Sequence, residues 1–202
     1  MPLHSKVQEI LEEAERLNLP PVETVTPEQA RAGMLENSRQ LDRPDVAAVE
    51  NLEAPGPAGS IPVRVYTPAG KGPFPVITFY HGGGWVVGDL ESHDGYCRHL
   101  ANRCGALVAS VDYRLAPEHS FPAAIDDCDA ATEWVARELS NWNGDPTRLV
   151  VAGDSAGGNL AAAVALRARN RGAPKVSLQI LLYPITDADF DTPSYIENAT
   201  GY

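Results

Sequence analysis

The sequence predicts an α/β domain with a mostly parallel central sheet and flanking helices, and three observations carry that prediction. From residue 75 onward, short runs rich in Val, Ile and Leu alternate with longer stretches of helical composition, which is the pattern of βαβ units. Two glycine-bearing segments, His81-Gly82-Gly83-Gly84-Trp85 and Gly153-Asp154-Ser155-Ala156-Gly157, each follow directly on such a run. In a parallel sheet that is the C-terminal strand edge, where ligands bind. No internal repeat or low-complexity tract breaks the alternation, and 202 residues suit a single domain with a sizeable core.

The elements follow in order. Leu3, Val7, Ile10, Leu11, Ala14 and Leu17 recur at helical spacing, and Thr26-Pro27-Glu28-Gln29 reads as the N-cap, N1 proline and capping box of a second helix. Val46 to Glu53 and Ile61 to Tyr66 read as antiparallel strands about a turn at Gly56-Pro57-Ala58-Gly59. The alternation then runs through a strand from Pro75 to Tyr80, a helix over Asp94 to Arg103 and a strand from Ala106 to Val111. A helix over Ala123 to Leu139, a strand from Arg148 to Ala152, a helix opening at Ala156 and a strand from Val176 to Tyr183 complete it. From Asp187 to Tyr202, Asp, Thr, Pro and Asn gather without apolar periodicity, a linker-like composition.

The two glycine segments carry the chemistry. A serine hydroxyl is a poor nucleophile until a base takes its proton, and the tetrahedral intermediate it forms needs preorganised donors for its anionic oxygen. Leu149 to Ala152, then Ser155, then the stretch from Ala156 to Leu166 give the strand, sharp turn and helix of a nucleophile elbow. Ser155 is expected to be strained, with Gly153 and Gly157 keeping side chains out of a close strand–helix approach. At the helix N-terminus the amide of Ala156 points at the reacting oxygen. A glycine-flanked serine alone is more often only a turn. The strand leading into His81-Gly82-Gly83-Gly84, whose backbone amides can turn toward a substrate carbonyl, changes that weighing.

With Gly88-Asp89-Leu90-Glu91-Ser92-His93-Asp94, Val111 to Glu118 and Phe121-Pro122-Ala123-Ala124, these segments resemble the hormone-sensitive-lipase group of α/β-hydrolases, the microbial carboxylesterases, from about residue 50 to 187. The resemblance implies an α/β-hydrolase fold, Ser155 as nucleophile, and Gly83, Gly84 and Ala156 as oxyanion donors, with His81 and Gly82 supporting the loop. It also implies a division into an N-terminal helical cap segment (1–45), a hydrolase core (46–187) and the start of a second cap segment (188–202). The first cap segment gates the acyl pocket or serves as a packing arm. Trp85, Tyr183 and the apolar cap helices are candidates to line that pocket, Trp85 equally a packing residue behind the loop.

One departure matters. In this fold the triad order is nucleophile, acid, histidine, yet His4, His81, His93, His99 and His119 all precede Ser155. Asp187, Asp189 and Asp191 fall where the resemblance starts the second cap segment, and none is assigned the acid role. His81 is the one upstream histidine near enough to be weighed as a substitute base, against the supporting role that the resemblance gives it. The catalytic Asp and His are therefore expected outside this chain, in a C-terminal segment or a second chain that also brings the last strands. Residues 1–202 alone are expected to be inactive and poorly soluble, with the apolar strand at Val176 to Tyr183 left as a sheet edge.

Composition narrows the partners. A formal charge of −11 without a Lys/Arg cluster argues against nucleic acid or an anionic membrane surface. No apolar run approaches the roughly 20 residues of a membrane span, and no leader pattern opens the chain. Cys97, Cys104 and Cys128 match no metal or redox spacing and suit a reducing cytoplasm. Cys97 and His99 offer too few ligands for zinc. The expected activity is hydrolysis of short or medium acyl esters through a Ser155 acyl-enzyme, with no metal or cofactor and with oligomeric state left open. The alternatives are an amide or acetyl hydrolase of the same group, or a non-catalytic small-ligand-binding relative.

Overall fold

The computed structural model describes residues 3–17, 20 and 24–199. Helices α1 (Ser5–Leu17) and α2 (Pro27–Ser38) precede the hairpin of β1 (Ala48–Gly56) and β2 (Gly59–Thr67). Then come β3 (Phe74–Tyr80), α3 (Asp94–Cys104), β4 (Leu107–Val111), α4 (Ala123–Glu138) and β5 (Gly144–Asp154). Helix α5 (Ala156–Arg171), β6 (Leu178–Leu182) and α6 (Pro193–Glu197) follow. The six strands form one sheet in the order β1-β2-β4-β3-β5-β6. The β1/β2 and β2/β4 pairs are antiparallel, and β4, β3, β5 and β6 run parallel. The chain therefore crosses over between β3 and β5, which puts the ends of those two strands side by side, Tyr80 opposite Gly153.

Both faces of β3, β4 and the C-terminal half of β5 are covered, so their side chains read as continuous apolar runs, whereas the edge strand β6 stays partly exposed. On one face Val76, Tyr80, Leu107, Ala109, Val111, Leu149 and Val151 pack with Val135, Leu160 and Val164 of α4 and α5. On the other, Ile77, Phe79, Val108 and Ala152 pack with Cys97 and Ala101 of α3. Each such large side chain contributes about 1.5–3 kcal/mol by leaving water. At the C-terminal end of α4, Trp134 and Trp142 meet edge to face, 5.3 Å between ring centroids.

The capping box of α2 forms as the sequence implies, with Thr26 and Gln29 exchanging side-chain-to-backbone hydrogen bonds. Three expectations need correction. Strand β5 begins at Gly144, ahead of the expected Arg148, and β6 begins at Leu178, after Val176. The segment read as a linker contains the short helix α6, started by Pro193, with Phe190 packed edge-on against Tyr195. Residues 200–202 of that segment lie outside the described residues. On α1 the apolar stripe is not covered, since Val7, Ile10 and Leu17 are all exposed. Among the described residues no helix is long and apolar enough to cross a membrane, and no cluster of three His, Cys, Asp or Glu is placed to hold a metal ion.

Candidate active site

Ser155 stands between β5 and α5 with φ 52° and ψ −116°, a conformation that non-glycine residues adopt only when their surroundings impose it. The surroundings are backbone. A Cβ at Gly153 would collide with the Gly157 carbonyl, and one at Gly157 would collide with the carbonyl of Tyr80 and stand 2.7 Å from that of His81. The close approach at Gly157 is thus to β3, the strand beside the elbow, as much as to the strand that precedes it. The Ser155 amide donates to the Leu182 carbonyl at 2.9 Å, so β6 also braces the turn. The serine is half-buried.

The glycine loop leaves β3 on the same edge of the sheet. Gly83 has φ +124°, and a Cβ there would run into the Val87 carbonyl; Gly84 has φ +60° with open space around it. The Gly83 carbonyl accepts from the amides of Val86 and Val87, both at 3.0 Å. Among the described residues the amides of Gly83, Gly84 and Ala156 donate to no partner. Unpaired donors on adjacent loops beside a strained serine are what an oxyanion requires.

Polar ties fix the loop. The Gly82 amide donates to Asp154 Oδ1 at 2.9 Å, joining the loop to the residue before the serine. The Tyr113 hydroxyl donates to the His81 carbonyl at 2.6 Å, and the two rings stack at 4.3 Å. His81 is fully buried, with Nδ1 2.8 Å from the Gly82 carbonyl and Nε2 without a partner among the described residues. Burial, seconded by the neighbouring His93, holds its pKa down to about 4 against the opposing pull of the Gly82 carbonyl and Asp89. It is thus a neutral residue locked into the loop, and among the described residues no histidine bonds to Ser155. His93 opens α3 with Nδ1 3.0 Å from Ser92 Oγ and Nε2 3.8 Å from Asp154 Oδ1. Burial again lowers its pKa, while Asp154 and Asp89 raise it. His99 lies 3.4 Å from Asp42, and His119 lines one cavity beside Arg31 of α2 and another beside Ile125 of α4.

Two hollows flank the elbow. One of 570 Å³ runs from Gly84 and Trp85 along Phe121, Leu160 and Leu166. The other, of 420 Å³, lies between Met34 of α2, His93, Asp154 and Tyr183. Trp85 and Tyr183, both expected at one acyl pocket, therefore line different cavities. Sequence reasoning missed the ties made by Asp154 and Tyr113. Asp154 adjoins the serine and Tyr113 lies in a segment already singled out, but their partners are remote in sequence and left no local signal.

A strained serine between strand and helix, with a glycine loop on the neighbouring parallel strand, defines an α/β protein of the nucleophile-elbow class. The chain belongs to the alpha/beta hydrolase fold family, whose model matches residues 77–202. It is similar to an esterase, LipI, of Mycobacterium tuberculosis, 47% identical over 85% of this chain and 54% of that protein. It is also similar to an ethyl acetate hydrolase of Pseudomonas putida, 37% identical over 90% of this chain and 59% of that one. Among solved structures, an esterase of the archaeon Pyrobaculum calidifontis superposes with a TM-score of 0.86 at 43% identity, covering 92% of this chain and 60% of that one. The chain spans about half the length of the curated relatives it matches.

Proposed function

We propose that the whole protein is a carboxylic ester hydrolase acting on short or medium acyl esters. Ser155 Oγ attacks the ester carbonyl carbon, the C–O bond to the alcohol breaks, and water then hydrolyses the acyl-enzyme. The amides of Gly83, Gly84 and Ala156 receive the oxyanion in both steps, and His81 and Gly82 hold the loop that presents two of them. The observation that carries this reading is the strained Ser155 beside those three unpartnered amides. The printed names of the relatives, esterase and ethyl acetate hydrolase, support it. The base and the acid that orients it are assigned to residues outside those described, and the chemistry requires no cofactor. Residues 1–45 and 188–202 are read as cap segments, 46–187 as the catalytic core, and the cytoplasm as the compartment.

The test is labelling of Ser155 by a fluorophosphonate and turnover of p-nitrophenyl butyrate by the whole protein. Ser155→Ala is expected to remove the label and reduce kcat by several orders of magnitude, on the order of 10⁶ in a comparable triad enzyme. Near-normal turnover by the folded variant overturns the assignment. A folded wild type that is neither labelled nor active points instead to a ligand-binding relative.

A further inference from the structure

Arg31 stands on α2, in the N-terminal helices, yet its guanidinium reaches the glycine loop. Nε donates to the Val86 carbonyl at 2.8 Å. Nη2 donates to the Ala116 carbonyl at 2.9 Å and to Glu118 Oε2 at 2.7 Å, and Nη1 donates to Glu118 Oε1 at 2.8 Å. Ala116 in turn donates its amide to the Trp85 carbonyl at 2.8 Å. One planar cation with its donors in a fixed fork thus joins α2, the loop and the segment before α4, a geometry that the compact ammonium of a lysine does not reproduce.

The peptide units between Arg31 and the site are connected in a particular sense. In a trans peptide the carbonyl of one residue and the amide of the next point in opposite directions. The Val86 carbonyl takes the Arg31 donor, and the amide of the same peptide unit, that of Val87, donates to the Gly83 carbonyl at 3.0 Å. The amide of that next unit belongs to Gly84 and is one of the unpartnered donors. A cation at one end of such a row polarises every bond along it, each strengthened by about 10–30%.

We infer that Arg31 is a positioning residue for the oxyanion site. Through the 86–87 and 83–84 peptide units it both orients and polarises the Gly84 amide, so the trap reaches full strength when α2 is seated on the loop. The inference rests on the ester-hydrolase reading for its effect on rate, but the clamp itself can be tested apart from it.

The experiment compares Arg31→Ala, Arg31→Lys and Glu118→Ala in the whole protein, reading kcat and KM on p-nitrophenyl acetate and hydrogen exchange of the Val87 and Gly84 amides. Complete loss of an oxyanion donor costs about 10²–10³ in kcat, and a loosened one is expected to cost about tenfold. Arg31→Ala should therefore lower kcat about tenfold with KM within about twofold of wild type, and exchange at Val87 should quicken. Arg31→Lys should recover part of kcat. Glu118→Ala, which leaves the Val86 bond, should stay within about twofold of wild type while its melting temperature falls. Should Arg31→Ala fail to fold, the Lys variant carries the same comparison. Wild-type exchange at Val87 overturns the clamp, and faster exchange with unchanged kcat overturns its link to the trap. A wild type that neither turns over ester nor labels at Ser155 counts against the hydrolase reading alone, since the exchange measurement still decides the clamp.

Discussion

The elbow around Ser155 and the loop around Gly83 leave adjacent strands on the same sheet edge, but different forces hold them. At the elbow the constraint is steric: the Gly157 backbone packs against the Tyr80 carbonyl with no room for one carbon atom. In the loop a local steric limit at Gly83 is joined by a set of hydrogen bonds with Asp154, Tyr113 and, at the outer shoulder, Arg31. A steric constraint is written into the local sequence as glycine and tolerates little. A polar one is distributed over distant residues, can be loosened by degrees, and can respond to proton concentration and to the seating of another helix.

The largest expected effect falls on the steric side. Gly157→Ala must push β3 and α5 apart, and neither neighbour is a flexible side-chain end. We expect a loss above about 4 kcal/mol, the range reserved for severe core disruption, seen as loss of the cooperative urea transition. A folded variant would show that the elbow is softer than its packing implies. Next comes Gly83→Ala, where φ of +124° and the Val87 carbonyl both oppose a side chain. Here the damage should fall on rate, with kcat reduced by about 2.7–4 kcal/mol in barrier height as for a lost oxyanion donor, and with less effect on the urea midpoint than Gly157→Ala. If stability drops as far as for Gly157→Ala, the distinction between the two regions collapses.

The smallest effect is the response of the loop to acid. His81 titrates near pH 6.5 when unfolded but only near 4 when folded. Between those values the unfolded chain binds a proton that the folded chain refuses, so stability is complete above about pH 6.5 and declines as pH falls toward 4, by about 3 kcal/mol in all. Urea unfolding of wild type and His81→Gln at pH 7 and 4.5 measures this. The wild type should lose more than the variant, which keeps the losses from His93, itself shifted down by burial, and from carboxylates such as Glu91 and Glu118 that arginines hold below their ordinary range. Parallel losses would remove His81 as the acid-sensitive tie.

Much of this arrangement was legible in the sequence where the signal is local. The capping box at Thr26, the strand–serine–helix order and the glycines of both turns each announce themselves within a few residues. What lay hidden depends on contacts across the fold. Nothing near Arg31 points to Val86 or Glu118, 55 and 87 residues away. Nothing near Asp154 points to Gly82. Helix α6 escaped because five residues are too few for an apolar period to declare itself. Trp85 and Tyr183 are both candidates for one pocket on sequence because composition says what could line a cavity, whereas the order β4-β3-β5-β6 decides which.

The three tryptophans of the chain divide along the same line. Trp134 and Trp142 are paired against the core near the end of α4, where their emission follows the integrity of the fold. Trp85 belongs to the loop itself, one residue before the carbonyl that Arg31 grips. The protein therefore carries its own optical reference and its own optical probe, so a change in the shape of the trap can be read in ultraviolet light without attaching a dye.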